Sequence, residues 1–416
     1  MKRIVLFCSF LAMWLGMSAQ TNTRSNLPFI NPTPGEISLM AVSPFPDGIA
    51  PTLEGYKEVV DCGFNLVTAV GSVNYFKEQF DMIKELPLKY LVSSPDLRTD
   101  KRNNFVTQLK SYPQLGGWLF KDEPRFNDLK ALRTQYEALH RADPNHLIYM
   151  NLAGRRDKIF MGDLKTYSSY LNLIEDTFYP PIWSYDIYAI YSKKGKVNVS
   201  YDYFYEDLET VSAMAKKTKR PFWSFCAAIS FKRGDTMWPA PTEAYLRFQA
   251  FSALAYGAQG IVYWSYGMRK SSDTETFYSA LVNLDGKKSP AWYAAQKVNR
   301  EIKKFNYIFY ECELQHVRHT GDKTYSGTQK LTGSFGPFAS VKSGSAGVML
   351  SSVKKDDVTY IIVINHDILK SQKVTLELAK NREASDITGV EKKYTSNAPI
   401  IINLDKGGYA ILKVTH

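Results

Sequence analysis

The chain reads as an α/β protein, a (β/α)8 TIM barrel followed by a small C-terminal antiparallel β-sandwich. Between residues 37 and 306, eight short apolar runs alternate with longer amphipathic stretches. Apolar strands separated by helices imply a parallel sheet covered on both faces, and eight such units close a barrel. Beyond about residue 310 the sequence turns rich in Gly, Ser, Thr and Lys, then breaks into short alternating runs. That is the pattern of paired antiparallel strands.

The expected barrel strands are "ISLMAVSPF" (37–45), "FNLVTAVGS" (64–72), "KYLVSSPDL" (89–97), "GGWLFKDEP" (116–124), "HLIYMNLAG" (146–154), "LNLIEDTFYP" (171–180), "PFWSFCAAIS" (221–230) and "GIVYWSYG" (260–267). Each is bounded by Gly, Pro, Asp or Asn, as strands usually are. Between them, Leu129, Leu132, Tyr136 and Leu139 follow helical spacing in 126–143. Residues 241–258 open on Pro-Thr and end near Gly257, which is helix punctuation, and 290–306 form the last helix. The later runs 347–355, 358–367, 373–379, 400–404 and 409–415 are the expected sandwich strands.

Ahead of the barrel, "MKRIVLFCSFLAMWLGMSAQT" has the build of a secretory signal. Lys2 and Arg3 precede an apolar run too short to span a bilayer, and small residues follow it. The expected division is a signal over 1–19, a catalytic barrel over 20–310 and a sandwich over 311–416, in an exported protein (periplasmic, cell-surface or secreted). No later segment approaches membrane-span length.

The chain has 416 residues, 44% of them hydrophobic and 14% aromatic, enough for a large packed core. A net charge of +11 is spread over helices without a recognition motif, which argues against a nucleic-acid partner. Six scattered histidines with no His-x-x-x-His pair argue against a zinc site, and no cofactor is implied. Cys62, Cys226 and Cys312 are expected as buried thiols.

Chemistry in such a barrel belongs at the carboxyl ends of the strands. Strand four ends on Lys121, Asp122 and Glu123, and strand five on Asn151. The assigned strand six carries Glu175, Asp176 and Tyr179. Strand seven carries Trp223 and strand eight Trp264 and Tyr266. Two carboxylates among aromatic rings suit cleavage of glycosidic bonds in a carbohydrate: one acid protonates the leaving oxygen, and the other attacks or activates water. The catalytic candidates are Glu123 and Asp176. Asp122, Asn151, Tyr179, Trp223, Trp264 and Tyr266 are candidates for holding the sugar. The plainer alternative is that Asp122 merely caps the next helix.

"GGWLFKDEP" resembles the fourth-strand motif of clan A glycoside hydrolases, where an apolar strand ends in Asn-Glu-Pro. "PTEAYLRFQAFSALAYGAQGIVYWSYG" (241–267) also resembles that clan, in the style of family 42 β-galactosidases and barrel glycosidases of gut bacteria. The resemblance implies that Glu123 is the general acid/base, that Asp122 replaces the sugar-binding Asn, and that Trp264 is the strand-eight aromatic. The clan's nucleophile is a Glu ending strand seven, whereas "RPFWSFCAAIS" holds no acid. Asp176 or Asp235 then substitutes, or the enzyme inverts with a water-activating base, or the barrel only binds carbohydrate.

Overall fold

The computed structural model describes residues 29–155 and 158–415, so the expected signal over 1–19 lies outside the described residues. Eight strands form the barrel: β1 Ser38–Val42, β2 Leu66–Val70, β3 Lys89–Ser93, β4 Leu115–Asp122, β5 Leu147–Ala153, β6 Trp183–Asp186, β7 Phe222–Ala227 and β8 Gly260–Trp264. They close into a ring in sequence order, every pairing parallel, with β8 joined to β1 at Ser38 and Gly260. Local chemistry marks where several helices begin. Thr52, Ser72, Thr242 and Ser289 each accept a backbone N–H with their hydroxyls, at the starts of Leu53–Asp61, Val73–Met82, Glu243–Ala255 and Pro290–Lys304.

One expected strand is a helix. Residues 171–180, assigned to strand six, fall in the helix Tyr167–Phe178 and its cap. Its buried residues Tyr167, Tyr170, Leu171, Ile174 and Phe178 are spaced for one helical face. Thr166 caps its start, and Tyr179, in the left-handed conformation, closes it before Pro180 and Pro181. The true sixth strand is the four-residue β6 that follows.

The barrel interior is filled by Met40, Leu66, Leu91, Tyr149, Trp223 and Val262, among others. Gly260 makes room there, since a Cβ on it would lie 2.6 Å from the Trp223 ring. Three loops at the carboxyl end pool their strands into a separate five-stranded sheet. The hairpin Ile190–Lys193 and Lys196–Val199 follows β6, the hairpin Ser230–Arg233 and Thr236–Trp238 follows β7, and Thr276–Ser279 follows β8.

After the last barrel helix come two antiparallel sheets of six and three strands. Leu350, Ile361, Val374, Leu376 and Leu412 fill the space between them, as in a β-sandwich. The alternate residues Met349, Ile362, Ile364 and Ile411 point the other way and join the barrel's core. This explains why Glu243–Ala255 is apolar around most of its circumference: it is covered by the barrel on one side and the six-stranded sheet on the other. Phe251 stacks on Tyr409 across that junction, with ring centroids 3.7 Å apart. No described helix is long and apolar enough to cross a membrane.

Candidate active site

The carboxyl ends of the barrel strands open into a cavity of about 980 Å³. Well below it, β4 and β5 meet closely at their amino ends. A Cβ on Gly117 would lie 2.4 Å from the carbonyl oxygen of Leu147, so only glycine allows the two strands this approach. A register shift between Leu119 and Lys121 then brings Asp122 opposite Asn151. The next residue, Glu123, takes a left-handed backbone (φ 44°), and its N–H donates to the Asn151 carbonyl at 2.9 Å. Such a conformation costs a non-glycine residue on the order of 1 kcal/mol and is concentrated at functional positions.

Three carboxyl groups gather here, Asp122 and Glu123 from β4 and Asp186 from the end of β6. Burial pushes the Asp186 carboxyl well above the usual carboxylate range. The charges of Glu123 and Asp122 push it further, and a hydrogen bond from the Tyr188 hydroxyl opposes them in part. Carboxyl groups gathered so closely do not all ionise readily together. Asp122 is exposed at the mouth of the cavity, and the crowding around its carboxyl raises it, with the Asn151 amide and Lys121 pulling it back. Asn151 is 2% exposed, and its Nδ2 donates to Asp122 Oδ1 at 3.1 Å.

An aromatic wall stands beside the carboxyls. Trp264, the last residue of β8, is half-buried and stacks on Tyr188 with centroids 5.1 Å apart. Phe231 meets the Trp264 ring edge-on at 5.2 Å and stacks on Trp238 at 4.3 Å. The Trp264–Ser265 peptide is cis. Phe225 of β7 lines the cavity at the position a strand-seven side chain would reach, and Phe222–Ala227 holds no acid. Across the cavity lie the Pro44–Pro46 segment, Val70 and Tyr75.

Of the residues singled out in the sequence, Glu123, Asp122, Asn151 and Trp264 line this cavity together. The others lie elsewhere. Asp176 is an exposed residue in the last turn of Tyr167–Phe178. That helix runs into the start of β6, so Asp176 sits at the amino end of the barrel, the end away from Glu123. Tyr179 is there too, its ring 4.2 Å from the Arg220 guanidinium, which pairs with Glu175. Trp223 points into the barrel interior below the cavity and packs on Tyr149 at 5.5 Å. Tyr266 lies outside the barrel wall, where its hydroxyl accepts from Trp292 Nε1 at 3.0 Å. Asp235 is exposed in the turn between Ser230–Arg233 and Thr236–Trp238 and does not line the cavity.

The residues not anticipated are Asp186 and Tyr188. The signal was present in "WSYDIY" (183–188), an alternating run just past Pro180-Pro181. It was hidden by reading the preceding helix as the strand. Among the described residues no group of three or more His, Cys, Asp or Glu is placed to hold a metal ion. Cys62 and Cys226 are buried thiols, and Cys312 is half-buried.

Residues 125–305 match the model of a family described as Beta-galactosidase (Glyco_hydro_42). The match starts just after Glu123 and runs through β8 into the last barrel helix. No curated protein matches the chain. Among solved structures, a β-galactosidase from Bacillus circulans sp. alkalophilus superposes with TM-score 0.63 at 8% identity, covering 93% of this chain and 100% of that one. A catalytic mutant of a GH42 β-galactosidase from G. stearothermophilus gives TM-score 0.61 at 9% identity, covering 94% and 100%. A glycoside hydrolase family 5 protein from Bacteroides vulgatus gives 0.55 at 12%, covering 91% and 89%. The family match, carried on a closed eight-stranded parallel barrel, makes this chain a TIM-barrel glycoside hydrolase.

Proposed function

We propose that the protein cleaves glycosidic bonds with Glu123 as general acid and Asp186 as the second carboxylate, the place the sequence assigned to Asp176 or Asp235. The supporting observation is that Glu123 and Asp186 line one cavity beside Tyr188 and Trp264, the charge of Glu123 helping to push the Asp186 carboxyl up. A pair sharing one proton supplies an acid to the leaving oxygen and an ionised partner to the anomeric carbon. Coupling between the two charges favours the retaining route, with carboxyls about 5–5.5 Å apart, over an inverting one that needs about 6.5–9.5 Å. Asp122 and Asn151 would hydrogen-bond the sugar, and Trp264 would stack on its apolar face. The family match makes β-galactosides the first substrates to try. Residues 1–19 would direct export.

The test is turnover of a panel of p-nitrophenyl glycosides and oligosaccharides, β-galactosides included, by the wild type, Glu123→Gln and Asp186→Asn. Each variant is expected to lose about 10²–10⁴-fold in kcat, and the first-formed product is expected to keep the substrate's anomeric configuration by proton NMR. Full turnover by Asp186→Asn would remove that residue from the mechanism.

A further inference from the structure

We infer that Ser184 is a positioning residue: its hydroxyl locks the Asn151 amide with the nitrogen turned toward Asp122. This rests on the sugar-binding role proposed above for Asp122 and Asn151. The geometry is a chain of three hydrogen bonds across β4, β5 and β6. Tyr149 Oη lies 2.6 Å from Ser184 Oγ, Ser184 Oγ lies 3.1 Å from Asn151 Oδ1, and Asn151 Nδ2 lies 3.1 Å from Asp122 Oδ1. Tyr149, Ser184 and Asn151 are 0%, 1% and 2% exposed, so solvent does not compete for these groups.

The direction of the chain follows from counting protons. An amide oxygen only accepts, so the single hydroxyl proton of Ser184 goes to Asn151 Oδ1. Ser184 Oγ is then an acceptor toward Tyr149, whose hydroxyl must donate. The Tyr149 ring is held against Trp223 with centroids 5.5 Å apart, which fixes the start of the chain. At the far end Asn151 presents two N–H donors. One goes to Asp122, and the amide borders the cavity, where a sugar hydroxyl would meet it.

Removing the Ser184 hydroxyl leaves Asn151 with no good orientation. Kept as it is, its buried oxygen lacks a donor. Flipped, it turns that oxygen toward the Asp122 carboxylate, which repels it. The unsatisfied oxygen populates the flipped state, and to that extent Asp122 loses the donor that favours its charged form. Ser184 thus acts on the carboxyl cluster through Asn151 without touching substrate.

The experiment is a carbon-13 NMR titration of the full chain labelled at Asp carboxyls, with Asp122→Asn identifying the Asp122 signal. In Ser184→Ala, Asp122 is expected to titrate at higher pH than in the wild type. Ser184→Thr, which keeps the hydroxyl, is expected to restore the wild-type titration. On p-nitrophenyl β-galactoside, kcat/KM should fall about tenfold in Ser184→Ala and recover in Ser184→Thr. An Asp122 titration unmoved by Ser184→Ala would overturn the inference. If Ser184→Ala does not fold, Tyr149→Phe frees the Ser184 hydroxyl to turn away, and a shift in the same direction is expected; no shift overturns it. The titration needs no substrate, so its failure is separate from failure of the hydrolase reading.

Discussion

At Asp186 the protein holds a carboxyl in a place that is costly for its charge. Burial and two neighbouring carboxylates oppose ionisation, and the Tyr188 hydroxyl offsets only part of this. Asp186→Asn should therefore raise the denaturation midpoint, by about 1 kcal/mol in stability, while sharply lowering turnover. A midpoint below wild type would show that the carboxyl is structurally required. Asp122 tests the electrostatics in the opposite sense. Its charge raises the Asp186 pKa, so Asp122→Asn lowers it, and the Asp186 proton departs at lower pH. The alkaline limb of a kcat/KM–pH profile should move down accordingly; a limb that stays put or moves up contradicts the coupling. Glu123 was legible in the sequence because a buried strand ending on paired acids has few ordinary explanations. Asp186 was not, because a single acid in a four-residue strand between prolines and a hairpin carries little pattern.

At the level of the element, β4 and β5 are held in close approach at Gly117, at the amino end of both strands. A methyl group there meets the Leu147 carbonyl at 2.4 Å, and backbone has nowhere to go. Gly117→Ala should cost about 2 kcal/mol or more in chemical denaturation and lower turnover, since the strands would part below Asp122 and Asn151. A fully active variant of wild-type stability would show that the contact relaxes at no cost. Elements with a strong local signal are legible: Leu129–Ala142 from its apolar spacing, and Glu243–Ala255 from the Pro-Thr and Gly that bracket it. Tyr167–Phe178 was misread because "LNLIEDTFYP" is apolar, short and bounded by proline, features shared by a barrel strand and a helix end. Its buried residues follow the 3.6 period only when Tyr167 and Tyr170, upstream of the run, are counted with Leu171, Ile174 and Phe178.

Over the whole molecule, barrel and sandwich are joined by a buried polar chain as well as by apolar packing. Tyr256 Oη lies 2.9 Å from Glu209 and 3.0 Å from His319 Nε2, and His319 Nδ1 lies 3.2 Å from His366 Nε2. Burial holds both histidines below their usual range, His366 at about 4. A histidine with a lowered folded pKa contributes fully above its unfolded pKa and progressively less as pH falls toward the folded value. The His366 contribution, about 3 kcal/mol, should thus be lost between roughly pH 6.5 and 4. Asp207, raised to about 8 by burial, works the other way, gaining stability as pH falls, so the comparison that isolates the pair is wild type against His319→Gln/His366→Gln. The double variant should lose the acid-side slope of the denaturation midpoint; an unchanged slope would place the acid sensitivity elsewhere. The sheet formed by the loops after β6, β7 and β8 bears on how this protein can change. Barrel enzymes ordinarily diversify one loop at a time, because each loop hangs from its own strand. Here Met237 pairs with Ser192, and Phe231 with Phe277, so three loops share one set of backbone hydrogen bonds. A graft that replaces one of them breaks the pairing of its neighbours, and new specificity on this side must be inherited as a block. The loops after β1 and β2 contribute no strand to that sheet, and they are where single-loop variation in a lineage of such enzymes is free to accumulate.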